Sequence, residues 1–440
     1  FMSEPPASAA SRFLKLAGMT ARISGDVARD RWQRLWQQEP DRSEQDAALY
    51  ARIGAEIAGT LGEMKGAVMK VGQVISQYRD ILPPELVDAL GKLQKDSPPR
   101  PYSDIRPRLH EAFGPRLEDH FEHIDPVALA SASIAQVHRA RTRDGREVVI
   151  KVQYPGVDAA VASDLRQLQL ALKIARVLPV SGELLDALFA EIRRSLHEEL
   201  DYRHEAAAIE AFRSFHAHDP RVVIPAVLPE LSSERVLTLS YEPGDPLGEL
   251  DERYDAASRD ALGELLFRTL GEQLYQFRRV HCDPHPGNFA ARQDGSLVMY
   301  DFGCIKALPQ GIVDTYSALT RAALGGDAGG LENGLIRLGA RNTRHTLALP
   351  HDFYTPWIKL TQDSFNEEAV NFGSFPLAER VIKLSRKAMP QWRAFQPVPE
   401  IVMINRALGG HYWNLRQLGC RLALRPLLTQ VLPAQGVSGT

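Results

Sequence analysis

The sequence predicts an α+β protein in which a small mixed lobe lies between a helical N-terminal segment and a larger, mainly helical lobe. Runs rich in β-branched residues are confined to three places, at 129–156, 221–244 and 296–303. Elsewhere, apolar residues recur at three-to-four residue steps, which is the spacing of amphipathic helices. The 440-residue chain is 44% hydrophobic and 24% charged, so it is long enough for two or three domains with sizeable cores.

The N-terminal segment is predicted to be helical. Helical spacing continues to about residue 58, a second amphipathic helix runs up to Pro83-Pro84, and a third follows it. Gly72 lies inside the second helix, where glycine costs about 1 kcal/mol relative to alanine. Helix–helix packing is the simpler explanation of that glycine. Residues 97–104 are predicted to be a linker, and a short helix to Phe113 follows.

The small lobe begins with a predicted β-hairpin around the turn Arg143–Gly145. Two helices follow, at about 158–178 and 183–218, and two further strands end at a Pro-Gly break. The mainly helical lobe contains one short apolar strand. These patterns divide the chain into a helical extension, a small mixed lobe and a helical lobe, at residues 1–127, 128–244 and 245–440.

Charge and cysteine content restrict the classes of partner and compartment. The formal net charge is −3, without the clustered Lys and Arg of a nucleic-acid-binding surface, so no nucleic acid is expected. Three cysteines without CxxC spacing argue against a disulfide framework and favour a reducing, cytoplasmic location. No apolar run reaches the roughly 18 residues of a spanning helix, and the chain start lacks a signal-peptide pattern.

The segment most informative about chemistry is HCDPHPGNFAARQDGSLVMYDFG, residues 281–303. Two simpler interpretations exist. His281, Cys282, Asp283 and His285 are competent zinc ligands, although adjacent side chains point in different directions. Alternatively, the Asp and Asn side chains only stabilise turns.

A third interpretation uses the spacing of the polar residues. Asn288 follows Asp283 after five residues, and Asp301-Phe302-Gly303 ends an apolar strand thirteen residues later. Phosphoryl transfer from a nucleotide requires a carboxylate near the nucleophile and oxygen ligands for Mg²⁺. The pattern His-x-Asp, Asn and Asp-Phe-Gly is that of protein-kinase catalytic segments, which predicts ATP and Mg²⁺ as cofactors.

The upstream half of such a site is present in altered form. Lys151 lies on the β-prone run EVVIKV, where kinases carry the lysine that binds the α- and β-phosphates. No GxGxxG precedes it. ALASASIAQVH, residues 128–138, occupies that place with alanines, which restrict the backbone more than glycines do.

These motifs together resemble the ABC1 family of atypical kinases, also called UbiB, AarF or ADCK. Its Lys-x-Gly-Gln motif is matched by Lys70, Gly72 and Gln73, its alanine-rich loop by SASIAQVH, and its Glu-x-Asp motif by Glu199 and Asp201. HCDPHPGN and DFG complete the match, and INRALGGHYWNL is similar to the C-terminal part of the family.

The resemblance implies a protein-kinase-like two-lobe fold with a helical N-terminal extension and a helical insert in the N-lobe. It implies that Lys70 pairs with Glu199 or Asp201, and that Glu205 faces Lys151. It also implies support of isoprenoid-quinone or other lipid metabolism. The expected partners beside the nucleotide are accordingly lipids and proteins of the quinone pathway. Peripheral contact with a membrane is also expected.

The resulting hypothesis assigns a role to each residue in the predicted site. Lys151 orients the phosphates, and Asp283 acts as the base or orients water. Asn288 and Asp301 hold Mg²⁺. Nucleotide contacts are also expected from two residues of the alanine-rich loop, Ala132 and Ser133.

Two alternative functions remain open at the level of sequence. A small-molecule kinase of the aminoglycoside or choline type also carries His-x-Asp and a metal-binding Asp, but it lacks the Lys-x-Gly-Gln segment. A nucleotide-gated pseudokinase scaffold, in contrast, binds ATP without turnover and exposes a partner surface.

Overall fold

The chain divides into two compact units in a computed structural model. One unit comprises residues 1–206 with 227–241, and the other comprises residues 207–226 with 242–440. Apart from short pieces between residues 18 and 59, the structure describes residues 99–131, 134–175, 182–250, 253–342, 349–396 and 398–433. The predicted helix that carries Lys70, Gly72 and Gln73 lies outside these residues.

The described residues form strands and helices in alternating groups. The strands are β1 (Phe121–Ser131), β2 (Ala135–Thr142), β3 (Glu147–Gln153), β4 (Val222–Val223), β5 (Val236–Ser240), β6 (Asp245–Pro246), β7 (Arg279–His281), β8 (Phe289–Ala291), β9 (Leu297–Met299), β10 (Ile305–Ala307), β11 (Val370–Asn371) and β12 (Arg421–Leu422). The α-helices are α1 (Tyr102–Phe113), α2 (Val157–Ala175), α3 (Gly182–Glu199), α4 (Tyr202–Phe215), α5 (Ala256–Glu272), α6 (Gln310–Gly325), α7 (Ala328–Arg337), α8 (Thr355–Asn366), α9 (Leu377–Ala388), α10 (Pro399–Leu418) and α11 (Leu424–Val431). This mixed content confirms the predicted α+β class.

The first unit is built on an antiparallel sheet with strand order β1-β2-β3-β5. The predicted hairpin is β2–β3, and its turn places Gly145 at φ 86°, a left-handed conformation that glycine adopts without strain. Along β3, Val148, Ile150 and Val152 are fully buried, whereas Lys151 between them is only half-buried. The period-two alternation of β3 therefore places Lys151 on the opposite face from the apolar side chains.

The predicted alanine-rich loop is partly a strand. Ala128–Ser131 belongs to the end of β1, where Ala128 pairs with His138 and Ser131 with Gln136. The backbone hydrogen bonds of this end are made across the sheet, which is why the segment is extended rather than a loop. Ala132 and Ser133, the expected nucleotide contacts, are not among the described residues.

The predicted helix over 183–218 is wrong as a single element, because it is divided into α3 and α4. At the break, the Leu200 carbonyl accepts a hydrogen bond from Gln153 Nε2 at 2.6 Å. The Tyr202 N–H donates to the Glu234 carbonyl at 2.8 Å. Two backbone groups that a continuous helix would pair internally are thus satisfied from elsewhere in the same unit.

The second unit contains a four-stranded sheet of order β4-β9-β8-β6 and two two-stranded ladders, β10-β7 and β11-β12. The predicted apolar strand is β9, in which all three residues are buried. Side chains from α5, β7, α6, α10 and α11 form a common core, which includes Leu270, Leu274, Val280, Cys282, Val313, Ile404, Ala407 and Leu428. This core fixes β7, and β7 leads directly into the segment that begins at His281. Among the described residues, no helix has the length and apolarity needed to span a membrane.

Candidate functional site

An ion pair in the first unit joins β3 to the first turn of α4. Lys151 Nζ donates to both carboxylate oxygens of Glu205, at 2.8 and 2.9 Å. The two residues are 54 positions apart in the chain. The structure thus places side by side the lysine predicted to bind phosphate and the glutamate that the family resemblance assigned to face it.

The surroundings of this pair favour a fixed geometry. The side chains of Lys151 and Glu205 are 17% and 6% exposed, and the ammonium group also lies 5.3 Å from the centre of the Tyr202 ring. Glu205 lies in the first turn of α4, where the positive end of the helix dipole stabilises a carboxylate. Removal of one partner would leave a buried charge without compensation.

The Glu-x-Asp motif lies at the break between α3 and α4. Asp201 accepts a hydrogen bond from the Arg203 N–H at 3.0 Å, which satisfies a backbone group at the start of α4. The guanidinium of Arg203 also donates to the Asp201 carboxylate and holds its pKa below the usual range. Glu199 is the last residue of α3. Lys70, the expected partner of this motif, is outside the described part of the chain, so that pairing stays a prediction.

In the second unit, Asp283 and Asn288 contact each other within the loop after β7. Asn288 Nδ2 donates to Asp283 Oδ2 at 2.8 Å and to the Asp283 carbonyl at 3.1 Å. With its amide nitrogen engaged in this way, Asn288 presents its amide oxygen as the group suited to bind a cation. The Tyr300 N–H donates to the Asn288 carbonyl at 3.0 Å, which brings Asn288 next to the residue before Asp301.

Asp301 is held by local and by longer-range contacts. Its Oδ1 accepts a hydrogen bond from the Gly303 N–H at 2.9 Å. Its carbonyl is hydrogen-bonded to Nε2 of His281, which is fully buried and lies edge-on against Phe289 and Phe302. Hydrogen bonds to Asp301 therefore hold together His281 and Gly303, the two ends of the segment 281–303.

Burial keeps the histidines under this loop neutral. Desolvation lowers the pKa of His281, and it lowers the pKa of His411 on α10 to about 3, with the neighbouring His281 contributing to the second shift. A neutral imidazole can donate from one ring nitrogen only, and for His281 that nitrogen is Nε2 because it faces a carbonyl oxygen. The carbonyl of Asp301 thus fixes the tautomer of His281.

Helix α10 packs against the loop that follows β7 and contributes residues to which the sequence alone assigned no role. The guanidinium of Arg406 lies 3.4 Å from Asp283 Oδ1. Asn414, which is 1% exposed, donates to the Pro284 carbonyl at 3.0 Å. A Cβ atom on Gly410 would lie 1.9 Å from Pro284 Cγ, so only glycine permits this approach.

A signal for α10 was present in the sequence. INRALGGHYWNL carries two adjacent glycines and several polar residues within an otherwise apolar helix. Such residues inside a helix indicate close packing or buried hydrogen bonds. The pattern alone does not reveal that the partner is a loop more than a hundred residues upstream.

The oxygen donors of residues 281–303 suit Mg²⁺ better than zinc. Among the described residues, no three His, Cys, Asp or Glu side chains converge as metal ligands, which argues against the zinc interpretation of residues 281–285. Mg²⁺ commonly uses one or two protein oxygens and completes its octahedron with phosphate oxygens and water. The Asp301 carboxylate and the Asn288 amide oxygen fit that requirement.

Sequence comparisons relate the chain to atypical kinase-like proteins. The sequence profile of the ABC1 atypical kinase-like domain matches residues 92–334, more than half of the chain. The atypical kinase coq-8, mitochondrial, of Caenorhabditis elegans is 31% identical over 363 residues, which are 81% of this chain and 48% of that protein. The atypical kinase COQ8, mitochondrial, of Schizosaccharomyces pombe is 29% identical over 437 residues, which are 98% of this chain and 70% of that protein. The chain therefore spans about half the length of the first relative.

A solved structure shows the same fold. Rv3197 of Mycobacterium tuberculosis, described in complex with erythromycin, superimposes with a TM-score of 0.64 at 26% identity and covers 89% of this chain and 99% of that one. The kinase-like fold expected from the motifs is confirmed. The resemblance read from the sequence is confirmed as well: the chain belongs to the ABC1 family of atypical kinase-like proteins.

Proposed function

We propose that this protein binds Mg²⁺-ATP and either hydrolyses it or transfers its terminal phosphoryl group. The observation that carries the proposal is the placement of Asp283, Asn288 and Asp301 in the second unit, where Asn288 donates to Asp283 and the residue before Asp301 donates to the Asn288 carbonyl. It supplies a carboxylate for the nucleophile and two oxygen ligands for Mg²⁺, which are the parts that phosphoryl transfer requires.

Each residue has a role that follows from its contacts. Asp283 is oriented by Asn288 on one oxygen and faces Arg406 on the other, so its carboxylate is fixed and suited to position water or accept a proton. Asn288 and Asp301 would hold Mg²⁺, which when bound neutralises phosphate charge. Lys151, oriented by Glu205, would hold the α- and β-phosphates.

The pathway is proposed from the family alone. Support of isoprenoid-quinone or other lipid metabolism is the role that the family implies, and two of the relatives are named atypical kinases COQ8. Peripheral contact with a membrane is likewise proposed from the family, whereas a cytoplasmic location is proposed from the cysteine content.

The test is Mg²⁺-dependent ADP release from ATP by the purified protein and by Asp301→Asn. Asp294→Asn is the matched control, since Asp294 also accepts a hydrogen bond from a backbone N–H two residues on, at 2.9 Å, but lies in the exposed β8–β9 turn. Nucleotide-induced shifts in melting temperature are recorded on the same samples.

We expect ADP release to fall at least ~10²-fold in Asp301→Asn, as for loss of a group that stabilises transition-state charge, and to persist in Asp294→Asn. A thermal shift without any turnover in the native chain would favour the nucleotide-gated scaffold. Absence of both signals would overturn the nucleotide-site proposal.

A further inference from the structure

Two of the three cysteines, Cys282 and Cys304, lie opposite each other, close in sequence to residues of the candidate site. Cys282 follows β7 and precedes Asp283, whereas Cys304 follows Gly303 and precedes β10. In the antiparallel β7–β10 ladder, His281 pairs with Ile305, so the next pair in register is Cys282 with Cys304. The Cys282 N–H donates to the Cys304 carbonyl at 2.8 Å, which continues the ladder to this pair.

Directly opposite residues in an antiparallel ladder project their side chains to the same face. The packing agrees with this rule, since Cys282 is a member of the core cluster of the second unit and Cys304 packs against that cluster. Burial, and to a lesser extent the neighbouring Cys304, raises the pKa of the Cys282 thiol. Both are reduced in this structure, and the Cys282 thiol donates to the Val280 carbonyl at 3.3 Å.

We propose that Cys282 and Cys304 are a site of covalent modification, at which a peroxide converts the two thiols into a reversible disulfide. Opposite Cβ atoms in a ladder are about 4.5–5.5 Å apart, and a disulfide needs about 3.5–4.5 Å. The bridge therefore requires rotation of the Cys282 side chain away from Val280 and a shift of about 1 Å between the two segments.

Exposure determines the order of the two steps. Cys304 is half-buried and reacts first, whereas Cys282 is fully buried and burial raises the pKa of its thiol to about 12. The Cys304 thiolate attacks one peroxide oxygen: an S–O bond forms, the O–O bond breaks, and hydroxide leaves and takes up a proton as water. The Cys282 thiolate then attacks the sulfenic sulfur: the S–S bond forms, the S–O bond breaks, and the hydroxyl leaves as a second water.

The overall reaction balances. Two thiols lose two electrons and two protons, and hydrogen peroxide is reduced to two molecules of water. A dithiol reverses it by two exchange steps and is itself oxidised to a cyclic disulfide. Because the slow step is reaction of a buried thiol, bridge formation accelerates as the pH is raised.

The bridge would change the geometry of the site. Cys282 adjoins Asp283, and Cys304 lies three residues after Asp301. A displacement of about 1 Å between catalytic groups costs on the order of 10²-fold in rate. The oxidised protein is therefore the less active form, a consequence that rests on the proposed function, whereas the bridge itself does not.

Peptide mapping tests the bridge without reference to activity. The full chain is treated with hydrogen peroxide at mildly alkaline pH, remaining thiols are alkylated, and the protein is digested with trypsin without reduction. Cleavage after Arg279, Arg292 and Lys306 places Cys282 in peptide 280–292 and Cys304 in peptide 293–306. We expect these two peptides as one linked species that is two hydrogen atoms lighter than their sum and disappears on treatment with dithiothreitol.

The chain offers matched variants. Cys304→Ser and Cys304→Ala should abolish the linked species, and Cys420→Ser should not, since Cys420 is as buried as Cys282 but lies beside β12. If turnover is detected, it should fall on oxidation and return with dithiothreitol in the native chain, and Cys304→Ala should be insensitive. Absence of the linked peptide, or a Cys304 sulfinic acid in its place, would overturn the proposal even if ATP turnover is present. A linked peptide in a protein without turnover would support the proposed bridge and would contradict only the proposed function.

Discussion

The Lys151–Glu205 pair and the Asp283–Asn288–Asp301 array differ in burial and in the chemical groups that they present. In the pair, an ammonium group donates two hydrogen bonds to one carboxylate, and the side chains are 17% and 6% exposed. The array carries two carboxylates and an amide, and Arg406 lies 3.4 Å from Asp283, with both side chains about one third exposed. The ionic contact within the pair is therefore shorter and more deeply buried than the contact of Arg406 with Asp283.

This difference indicates where a divalent cation would bind. The pair offers a fixed ammonium group, which suits phosphate. The array offers carboxylate and amide oxygens, which are the ligands that Mg²⁺ prefers. Rigidity in the array comes from the packing of α10, from the contact of Arg406 with Asp283 and from the buried histidines.

The largest expected effect on stability comes from removal of one partner of the buried Lys151–Glu205 pair. Lys151→Met removes the cation that pairs with the Glu205 carboxylate, which is 6% exposed. We expect a loss of about 3 kcal/mol in the free energy of unfolding, at the low end for a buried pair because Lys151 is partly exposed. Urea denaturation measures this loss, and Lys151→Met combined with Glu205→Leu should recover most of it.

An exposed ion pair on the same sheet provides the control. Arg139 and Glu147 lie 3.2 Å apart but are 49% and 46% exposed. Arg139→Ala should cost less than about 1 kcal/mol. Equal costs for Lys151→Met and Arg139→Ala would contradict the description of Lys151–Glu205 as a buried, stabilising pair.

A smaller effect is expected where α10 supports the array. Gly410→Ala introduces a Cβ atom that meets Pro284, whereas Gly409, its neighbour in the same helix, has no atom within 4 Å of such a Cβ. We expect Gly410→Ala to lower the free energy of unfolding by about 1–3 kcal/mol through overpacking, and Gly409→Ala to be neutral or stabilising. The melting temperatures of Gly410→Ala and Gly409→Ala measure this difference. Equal values would show that α10 does not constrain the loop after β7.

The smallest effect concerns pH. The pKa of His411 falls from the ordinary value of 6.5 to about 3 on folding. Above pH 6.5 the imidazole is neutral in both states, and below it the unfolded chain binds a proton that the folded chain does not, so stability declines as the pH falls from 6.5 toward 3. At about pH 5.5 this single group should cost roughly 1 kcal/mol relative to neutral pH.

His411→Leu isolates that contribution, because it removes the imidazole and leaves His281 in place. The decline in the free energy of unfolding between neutral pH and about pH 5.5 should be roughly 1 kcal/mol smaller in the variant. An identical pH dependence in the two proteins would mean that His411 is not a buried neutral group.

The sequence identified features whose signals are local. The hairpin was predicted from its turn and its β-prone runs. The residues of the array were found because Asp283, Asn288 and Asp301 lie within one short segment. Glu205 was named only through the family resemblance, since several glutamates follow Lys151 and spacing alone does not select one of them.

The features that sequence reasoning missed depend on distant partners. The break between α3 and α4 is stabilised by Gln153 and by the Glu234 carbonyl, neither of which is visible in the helical pattern. The contact of Arg406 with Asp283 joins residues 123 positions apart. Tertiary hydrogen bonds and close packing, rather than propensity, decided these elements.

The central claim is that ATP binding depends on a metal held by the array. Isothermal titration calorimetry of ATP, with Mg²⁺ and with EDTA, tests it most directly in the native chain and in Asp301→Asn. We predict that EDTA weakens binding by at least ~10-fold in the native chain, which corresponds to about 1.4 kcal/mol, and that Asp301→Asn binds equally weakly under both conditions. Equal affinity of the native chain with and without Mg²⁺, or a metal dependence that Asp301→Asn retains, would contradict the account.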